Sequence, residues 1–350
     1  MNKLKNIKLE NFRNYSKQSF DNLSDFNILV GPNAVGKTNF IEAVQLVTEL
    51  SSFRHPKAID LIKEGEEWCR VEASFEDDNA ILFVDNKKTY KLNGKHTRYK
   101  GKFPSVTFTP DELMMVKGGN SPKRDAVDSL GSQLSKNYYT VRKDYAKALR
   151  QKNKLLKDGV NEETLNSIND VMVITGSQLI CYRNELIKKI KPLLQSFYKQ
   201  ITGSDEELEI TYETSFEVDN FNRDNVRECF KNNIDTEEEI HKKSSLTGPH
   251  KDQIRFILNK KNAVDFASQG QQRSIVLAFK LTELQLIENM LNKVPILLLD
   301  DVMSELDATR RKMLTKFVLG KTQTFVTTTN LDYFDQELLN KSNIIEIIKN

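Results

Sequence analysis

The feature that most constrains the fold is a glycine-bounded loop that follows an apolar segment and precedes a helical one. Residues 29–38 read Leu-Val-Gly-Pro-Asn-Ala-Val-Gly-Lys-Thr, which fits the G-x-x-x-x-G-K-[ST] pattern of a phosphate-binding loop. The apolar run from Phe26 to Val30 predicts a strand before the loop, and residues 39–44 predict a helix after it. Such a loop directs backbone N–H groups and a helix N-terminus at phosphate oxygens. The segment therefore predicts an α/β fold that binds a nucleoside triphosphate.

The loop residues have distinct roles in a site of this kind. Gly31 and Gly36 let the backbone bend so that its N–H groups point inward. Lys37 would reach the β- and γ-phosphates, and the Thr38 hydroxyl would ligate Mg²⁺. The alternative is a chance glycine loop before a helix. The predicted nucleotide-binding residues of the loop are Gly31, Pro32, Asn33, Ala34, Val35, Gly36, Lys37 and Thr38.

Length and cysteine content limit the class of protein. At 350 residues the chain is long enough for two lobes. Cys69, Cys181 and Cys229 are odd in number and form no C-x-x-C pair, which argues against a disulfide framework or a zinc hook and favours a reducing cytoplasm. The N-terminus has no apolar signal segment, and the aliphatic runs are strand-sized. We therefore expect neither a signal peptide nor a membrane span.

Charge is nearly balanced overall, at +3, but it is unevenly distributed. Residues 121–160 hold ten Lys and Arg against four Asp and Glu, whereas residues 205–240 hold three against thirteen. The basic block predicts a surface for an anionic partner, although charge blocks are more often solvated faces.

The remaining segments predict two kinds of sheet and a helical lobe. Alternating residues in 69–93 predict a small antiparallel layer. Buried strands at 295–299 and 324–327, on either side of a helix near 306–318, indicate a mainly parallel sheet. Further predicted elements are strands at 4–9, 15–20, 207–212 and 254–258 and a helix at 271–291.

Residues 133–200 change to a helical pattern. Apolar residues recur at three-four spacing on both sides of a polar break at 157–159. Two helices joined in this way predict an antiparallel hairpin, with arms roughly 35–40 Å long at 1.5 Å per residue.

A pair of acids completes the predicted nucleotide site. Residues 294–301 form an aliphatic strand that ends in Asp300 and Asp301, the Walker B pattern. Asp300 would hold the Mg²⁺ that Thr38 also contacts. Asp301 lies where a carboxylate could orient or deprotonate the attacking water. These acids could instead cap the next helix, but their pairing with a phosphate-binding loop favours the catalytic role.

The segment from Ala267 to Ser274 opens a helix with Ser, Gly and Gln. A helix N-terminus with a small residue is an anion-binding site. We expect it to bind the γ-phosphate of a nucleotide held by a second copy of the chain. Judged on its residues alone, a serine-capped ordinary helix is the alternative.

Together these motifs resemble an ABC-type ATPase head and, more specifically, the RecF family of bacterial DNA replication and repair proteins. The resemblance is carried by residues 9–15, 247–252, 268–273 and 299–307 and covers about residues 3–330. It implies a P-loop head with a mixed sheet and an antiparallel β layer, plus a mainly helical second lobe with a short hairpin. The expected domains are 1–110 and 206–350 as the two halves of the head and 111–205 as the helical lobe.

The resemblance also implies a function. The family members are cytoplasmic, nucleoid-associated ATPases of recombinational DNA repair, replication and the SOS response to DNA damage. They dimerise on ATP, bind double-stranded and gapped or junction DNA, and work with mediator proteins of the RecR and RecO type to load recombinase. We expect ATP and Mg²⁺ as cofactors, slow DNA-stimulated hydrolysis, and no nuclease or transferase activity.

The family motifs assign roles to further residues. The expected catalytic residues are Lys37, Asp301 and Ser268; the Mg²⁺ ligands are Thr38 and Asp300; the trans signature is Ser268, Gln269, Gly270 and Gln271; and the D-loop includes Ser304 and Asp307. Asp301 takes the position that glutamate fills in most ABC ATPases. Because aspartate is one methylene shorter, we expect slow hydrolysis.

Two positions of the family pattern are not settled by the residues. No histidine follows the strand at 325–327, where ABC ATPases often carry a switch histidine, and Thr329 or Asn330 could substitute by hydrogen bonding. The adenine contact has Arg13 and Asn14 as candidates, with plain turn residues as the alternative.

DNA contact is expected to be chiefly with phosphates, because no base-reading element such as a zinc finger is evident. The candidate basic belt is Lys123, Arg124, Arg142, Lys143, Arg150 and Lys154. An SMC-type chromosome or break-processing head is an alternative, but it would need hundreds of coiled-coil residues between its halves. A transporter's nucleotide-binding subunit is another, but it would not explain the residues at 12–14 and 248–250.

Overall fold

The computed structural model describes residues 3–97, 102–159 and 161–348. Their contacts divide the chain into two units, one of residues 1–112 with 283–350 and one of residues 113–282. The first unit is thus assembled from both ends of the sequence, and the second from the middle.

The regular elements are numbered in chain order. The strands are β1 (Leu4–Phe12), β2 (Tyr15–Phe20), β3 (Phe26–Val30), β4 (Cys69–Phe75), β5 (Asn79–Val84), β6 (Lys88–Leu92), β7 (Lys95–His96), β8 (Ser105–Phe108), β9 (Leu208–Glu213), β10 (Gln253–Leu258), β11 (Lys261–Asn262), β12 (Ile296–Asp300), β13 (Thr324–Thr328) and β14 (Asn343–Glu346). The α-helices are α1 (Lys37–Glu49), α2 (Met114–Lys117), α3 (Asn120–Leu134), α4 (Lys136–Asp158), α5 (Glu162–Thr202), α6 (Arg223–Asn232), α7 (Thr236–Lys242), α8 (Ala263–Phe266), α9 (Gln269–Leu291), α10 (Val302–Glu305), α11 (Ala308–Val318) and α12 (Gln336–Asn340). Short 3-10 helices cover Ile59–Leu61, Pro110–Leu113 and Leu331–Tyr333.

The first sheet of the first unit is antiparallel, with strand order β2-β1-β4-β5-β6-β7. Alternate residues of β4 are buried, because successive side chains of a strand point to opposite faces. The inner face carries apolar residues such as Ile7, Val71 and Leu82, each fully buried. The predicted antiparallel layer is therefore confirmed.

The second sheet of this unit is parallel, with strand order β14-β3-β13-β12-β8. Every residue of β12 and β13 is buried, as expected for inner strands covered on both faces. Helix α1 contacts strands of both sheets. Its apolar residues from Phe40 to Val47 are buried on all sides, so α1 forms the centre of the core, with the phosphate-binding loop at its N-terminus.

In the second unit, α4 and α5 pack against each other as the predicted hairpin, with the rings of Tyr138 and Tyr182 stacked 5.6 Å apart. Helix α4 has 23 residues and α5 has 41, which correspond to about 35 and 60 Å. The predicted length of 35–40 Å is therefore wrong for the second arm. The helix continues through Pro192 and packs on β9.

Residues 206–282 belong to the second unit, whereas the sequence analysis placed them in the C-terminal half of the head. Strand β9 pairs with β10 and packs on α5, and α3 packs on β10. The three-stranded sheet β11-β10-β9 is thus held by the helices of the hairpin lobe. This packing joins segments far apart in the sequence, which local patterns do not report.

A buried ion pair lies inside the second unit. The Arg183 guanidinium donates to the two carboxylate oxygens of Asp128, at 2.9 and 2.8 Å. Tyr138 Oη donates to Asp128 Oδ1 at 2.7 Å. Burial alone would raise the pKa of Asp128, but the charge and hydrogen bonds of Arg183 outweigh it and lower that pKa. The pair therefore stays charged in the interior.

Arg183→Met is expected to destabilise the protein by about 3–5 kcal/mol, because buried Asp128 would keep only Arg142 as a charge partner and buried Asp252 would lose its ion pair with Arg183. Urea denaturation measures the loss. Lys188→Met on the same helix is the matched control: it removes an ion pair with Glu185 whose side chains are 63% and 64% exposed, and should cost less than about 1 kcal/mol. Equal denaturation midpoints for the two variants would contradict a structural role for the buried pair.

Within the described ranges, no helix combines the length and the apolar composition that a membrane crossing requires.

Candidate functional site

The carboxyl ends of β3, β13 and β12 meet at one edge of the parallel sheet. Their register pairs Val30 with Thr328 and Asp300 with Thr327. Ligands of open α/β sheets bind beyond this edge. The fold of the first unit therefore brings together the phosphate-binding loop after β3 and the Walker B acids at the end of β12, as the sequence predicted.

The turn between β1 and β2 braces the phosphate-binding loop. Asn14 Nδ2 donates to the Val35 carbonyl at 2.9 Å, and Tyr15 Oη donates to the Gly36 carbonyl at 3.0 Å. Gly36 has a φ of +118°, and a Cβ at this position would lie 2.7 Å from Asn14 Nδ2. Only glycine satisfies both the positive φ and the close approach. Asn14 and Tyr15 thus position the loop, a role that the sequence analysis did not assign.

Lys37 reaches back over the loop that precedes it. Its Nζ donates to the carbonyls of Gly31 and Pro32, at 2.7 Å each. Burial lowers the pKa of Lys37, and the nearby carboxylates of Asp301 and Asp300 oppose that shift. The ammonium group is therefore held at the loop, where a phosphate-binding lysine is needed.

Asp300 accepts two hydroxyl hydrogen bonds on one oxygen. Thr38 Oγ1 donates to Asp300 Oδ1 at 2.9 Å, and Thr327 Oγ1 donates to the same atom at 2.8 Å. Burial raises the pKa of Asp300, and these two hydrogen bonds oppose the rise. The carboxylate and the Thr38 hydroxyl are the hard oxygen ligands that Mg²⁺ prefers. The pair therefore fits the predicted metal position, with Thr327 as an orienting residue that the sequence analysis missed.

Asp301 follows in the left-handed region, with φ +54° and ψ 22°. Its backbone N–H donates to Thr327 Oγ1 at 2.9 Å. Its Oδ1 is buried and has no hydrogen-bond partner among the residues that the structure describes. Burial raises the pKa of Asp301, and Lys37 opposes the rise. A desolvated carboxylate oxygen without a protein partner is suited to accept a proton from water.

Arg13 lies in an ion-pair network beside α1. Its Nε and one terminal nitrogen donate to the two carboxylate oxygens of Glu42, at 2.9 Å each. Glu42 is fully buried and also accepts from Arg54 at 3.2 Å and from Ser52 Oγ at 2.6 Å. The bidentate pair fixes the guanidinium of Arg13. The contacts of Arg13 and Asn14 with adenine stay predictions.

The predicted signature segment belongs to the second unit and begins α9. Ser268 Oγ accepts from the Gln271 N–H at 3.2 Å, and Gln271 Oε1 accepts from the Ser268 N–H at 2.8 Å. This reciprocal arrangement is a capping box. Ser268 and Gln269 are exposed, and Gly270 is partly exposed. The geometry leaves the segment accessible at the helix N-terminus, and its contact with a second copy stays a prediction.

Of the remaining predicted residues of the first unit, Ser304 lies in α10, Asp307 precedes α11, and Thr329 and Asn330 follow β13. Ser304 Oγ donates to the Asp301 carbonyl at 2.7 Å, and Asp307 caps α11 by accepting from the Arg310 N–H at 2.8 Å. After β13, Asn330 Oδ1 accepts from the Asp332 N–H at 2.9 Å, while Thr329 is exposed. Both Thr329 and Asn330 remain candidates for the position of the missing histidine.

The six predicted DNA-contact residues fall into two groups. Three are engaged within their own unit: Lys123 Nζ donates to the Gly118 carbonyl at 2.6 Å, Arg124 donates to the Asp252 carbonyl at 2.7 Å, and Arg142 pairs with Asp125 and Asp128 at 3.1 and 3.2 Å. Lys123 is only 3% exposed. The other three, Lys143, Arg150 and Lys154, are exposed on α4.

Further exposed cations extend this face of α4. Residues spaced three, four and seven apart lie on one side of a helix. We call the resulting row the α4 stripe, which consists of Lys136, Lys143, Lys147, Arg150, Lys154 and Lys157. Within the described part of the chain, none of the six forms an ion pair. The three-four spacing was the signal that could have added Lys136, Lys147 and Lys157 to the predicted belt.

Comparisons with known proteins extend over nearly the whole chain. Residues 3–348 match the family model of the RecF/RecN/SMC N-terminal domain. The DNA replication and repair protein RecF of Thermosynechococcus vestitus is 36% identical, covering 98% of this chain and 95% of that protein. The protein of the same name from Lactobacillus gasseri is 34% identical, covering 98% and 97%.

Solved structures agree with the sequence comparisons. The recombination mediator protein RecF with ATP, of the RecFOR pathway, matches with a TM-score of 0.86 at 32% identity, covering 95% of this chain and 93% of that one. An Smc head domain from Pyrococcus furiosus matches with a TM-score of 0.55 at 15% identity, covering 100% and 94%, and shows the fold alone. The predicted fold class, an α/β P-loop ATPase head with a helical second lobe, is confirmed. The chain belongs to the RecF family, within the wider group of RecF, RecN and SMC N-terminal domains.

Proposed function

We propose that this protein is a slow ATPase that uses Mg²⁺–ATP to switch its binding of DNA during replication and recombinational repair. The observation that carries the proposal is the hydrogen bond of 2.9 Å between Thr38 and Asp300, which joins the phosphate-binding loop to the Walker B strand. The RecF structure with ATP supports the choice of nucleotide. The relatives named as DNA replication and repair proteins support the cellular role.

The residues of the first unit have complementary roles in this proposal. The loop N–H groups and Lys37 bind the β- and γ-phosphates. Thr38 and Asp300 hold Mg²⁺, which when bound neutralises phosphate charge. Asp301 orients the attacking water and accepts its proton. Because the aspartate side chain is short, its carboxylate lies further from the water than a glutamate carboxylate would, and hydrolysis is slow.

The second half of the site is proposed to come from a second copy of the chain. Ser268 and Gln269 are exposed at the N-terminus of α9, where backbone N–H groups and the helix dipole attract a γ-phosphate. Gly270 and Gln271 complete this trans contact, and Ser304 and Asp307 join the same interface. Since the contact requires the γ-phosphate, dimerisation depends on ATP and ends with hydrolysis.

The proposed partners follow from the family. The DNA partners are double-stranded and gapped or junction DNA, and the protein partners are mediators of the RecR and RecO type. Together they load recombinase in the cytoplasm, at the nucleoid. The exposed cations of the α4 stripe support phosphate contacts. The 23 residues of α4 do not support the long coiled coil of an SMC protein as an alternative.

Sedimentation velocity with and without Mg²⁺–ATP tests the switch. The wild type should form dimers only with ATP, and Ser268→Arg should bind ATP but stay monomeric, because the arginine fills the space of the γ-phosphate contact. Ser135→Arg is the matched control, since Ser135 is the N-cap of α4 in the same unit. A wild type that stays monomeric with ATP would refute the composite site. Dimers of Ser268→Arg would remove the signature segment from it.

Thr327→Val is expected to raise the Mg²⁺ concentration needed for half-maximal hydrolysis by about 10- to 100-fold. The reason is that the variant lacks the hydroxyl that orients Asp300 and accepts a hydrogen bond from the Asp301 N–H. Titration of phosphate release with Mg²⁺ measures the shift. Thr324→Val is the control, since Thr324 is equally buried on the same strand but donates to the Thr322 carbonyl. The same Mg²⁺ curve for both variants would show that Thr327 does not position Asp300.

A further inference from the structure

An aromatic pair lies on the outer face of the antiparallel sheet. Trp68 precedes β4 and stacks on Phe83 of β5, with ring centroids 5.8 Å apart and planes at 26°. The neighbours Leu82 and Val84 are fully buried, so Phe83 points outward and is 36% exposed. The apolar core cluster of this unit includes neither Trp68 nor Phe83. These rings therefore form a surface feature rather than part of the core.

The two rings form one wall of an open groove of about 330 Å³. The rest of the lining is Arg70, Ile81, Thr89 and Lys91. Strand register explains why these residues share one face, because Phe83 lies opposite Arg70 and Thr89 and Ile81 lies opposite Lys91. The groove is thus a product of three adjacent strands, and it combines stacked rings with cations.

Cations continue from the groove across the sheet. Lys8 on β1, Lys17 on β2 and Lys91 on β6 are exposed, and Arg70 is paired with Glu72 at 2.8 Å. Glu72 and Glu10 are the two carboxylates on the outer face of these strands, and Glu10 lies opposite Arg70 and Lys17. Four cations against two carboxylates leave the outer face of β1, β2, β4, β5 and β6 with a positive balance. An anionic chain that crosses the strands would meet cations on both sides of the aromatic wall.

We propose that this face binds single-stranded DNA, with a base stacked on Phe83 beside Trp68 and phosphates contacted by Lys91, Lys8 and Lys17. Aromatic side chains stack with any base, while cations follow the backbone. In a duplex the bases are already stacked and paired, so a duplex could not use the rings. The site shares no residue with the nucleotide site or with the α4 stripe, and it binds without ATP.

Trp68 is the single tryptophan of the chain, so its emission reports this site directly. Titration of the full-length protein without nucleotide, using a twelve-residue oligo-dT, should quench the emission, and the same length of duplex should not. Phe83→Ala should weaken the quenching titration about tenfold, because one stacking surface is lost. Lys91→Glu should also weaken it, more at low salt. Lys312→Glu, an exposed cation on α11, is the matched control and should bind as the wild type.

Emission that is unchanged at saturating oligo-dT would overturn the proposal. So would equal affinity of Phe83→Ala and the wild type, or quenching by the duplex equal to that by the single strand. Oligo-rU tests whether the unpaired strand is DNA or RNA: weaker binding of oligo-rU than of oligo-dT supports DNA, whereas equal or tighter binding would overturn that assignment. If Lys91→Glu melts at the same Tm as the wild type, its weaker binding does not come from a loss of folding. Dimer formation with ATP, measured separately, distinguishes failure of this site from failure of the proposed switch.

Discussion

Asp301→Asn is expected to lower the rate of ATP hydrolysis by about 10²- to 10⁴-fold, which is the contribution of a positioned proton acceptor. Asparagine keeps the size of the side chain but cannot take the proton. In the structure Asp301 Oδ1 is buried, and it has no hydrogen-bond partner within the described residues. Burial also raises its pKa, which makes it a better acceptor than an exposed aspartate.

ATP binding by Asp301→Asn should persist, because Lys37, Thr38 and Asp300 are unchanged. The variant should therefore accumulate ATP-bound dimers that dissociate slowly. Single-turnover phosphate release measures the chemical step, and sedimentation measures the dimer. Asp77→Asn is the matched control, since Asp77 is an exposed acid in the turn between β4 and β5 of the same unit and should not change the rate. Hydrolysis by Asp301→Asn at the wild-type rate would show that another group activates the water.

Reversing three cations of the α4 stripe, with Lys143→Glu, Arg150→Glu and Lys154→Glu combined, should weaken duplex DNA binding by about 10²- to 10³-fold at 0.1 M salt. Each phosphate contact contributes a salt-dependent factor from counterion release. The stripe runs along about 32 Å of helix, and no described residue forms an ion pair with it. The magnitude of the slope of log affinity against log salt should fall by roughly the contribution of three phosphate contacts. Fluorescence anisotropy over a salt series measures both effects.

The control for this prediction is a second triple reversal, at Lys188, Lys191 and Lys199 of α5. It changes the net charge by the same amount, but these cations are already paired with Glu185, Glu209 and Asp205, at 2.9, 3.3 and 2.8 Å. Its DNA affinity should fall far less. An equal loss for the two triple variants would mean that overall charge, and not the α4 stripe, governs binding.

The DNA-contact candidates show that the sequence located a basic segment but did not predict which of its cations are available to DNA. Local charge identified the segment 121–160 but could not separate its cations. Lys123 and Arg142 are held by carbonyl or carboxylate oxygens in the second unit, whereas Lys147 is exposed. All three look alike in composition, because a cation's availability depends on which acceptors the fold brings to it.

The sequence by itself determined the phosphate-binding loop, the Walker B strand, both kinds of sheet and the helical hairpin. These features are encoded locally, by glycine and lysine spacing, by apolar runs and by periods of two or three to four residues. Tertiary structure alone decided that residues 206–282 join the second unit, that Asn14 and Tyr15 brace Gly36, and that Thr327 orients Asp300. Each of these contacts joins residues that are distant in the sequence. Such partners are selected by packing, and no periodicity within one segment reports which distant segment it will meet.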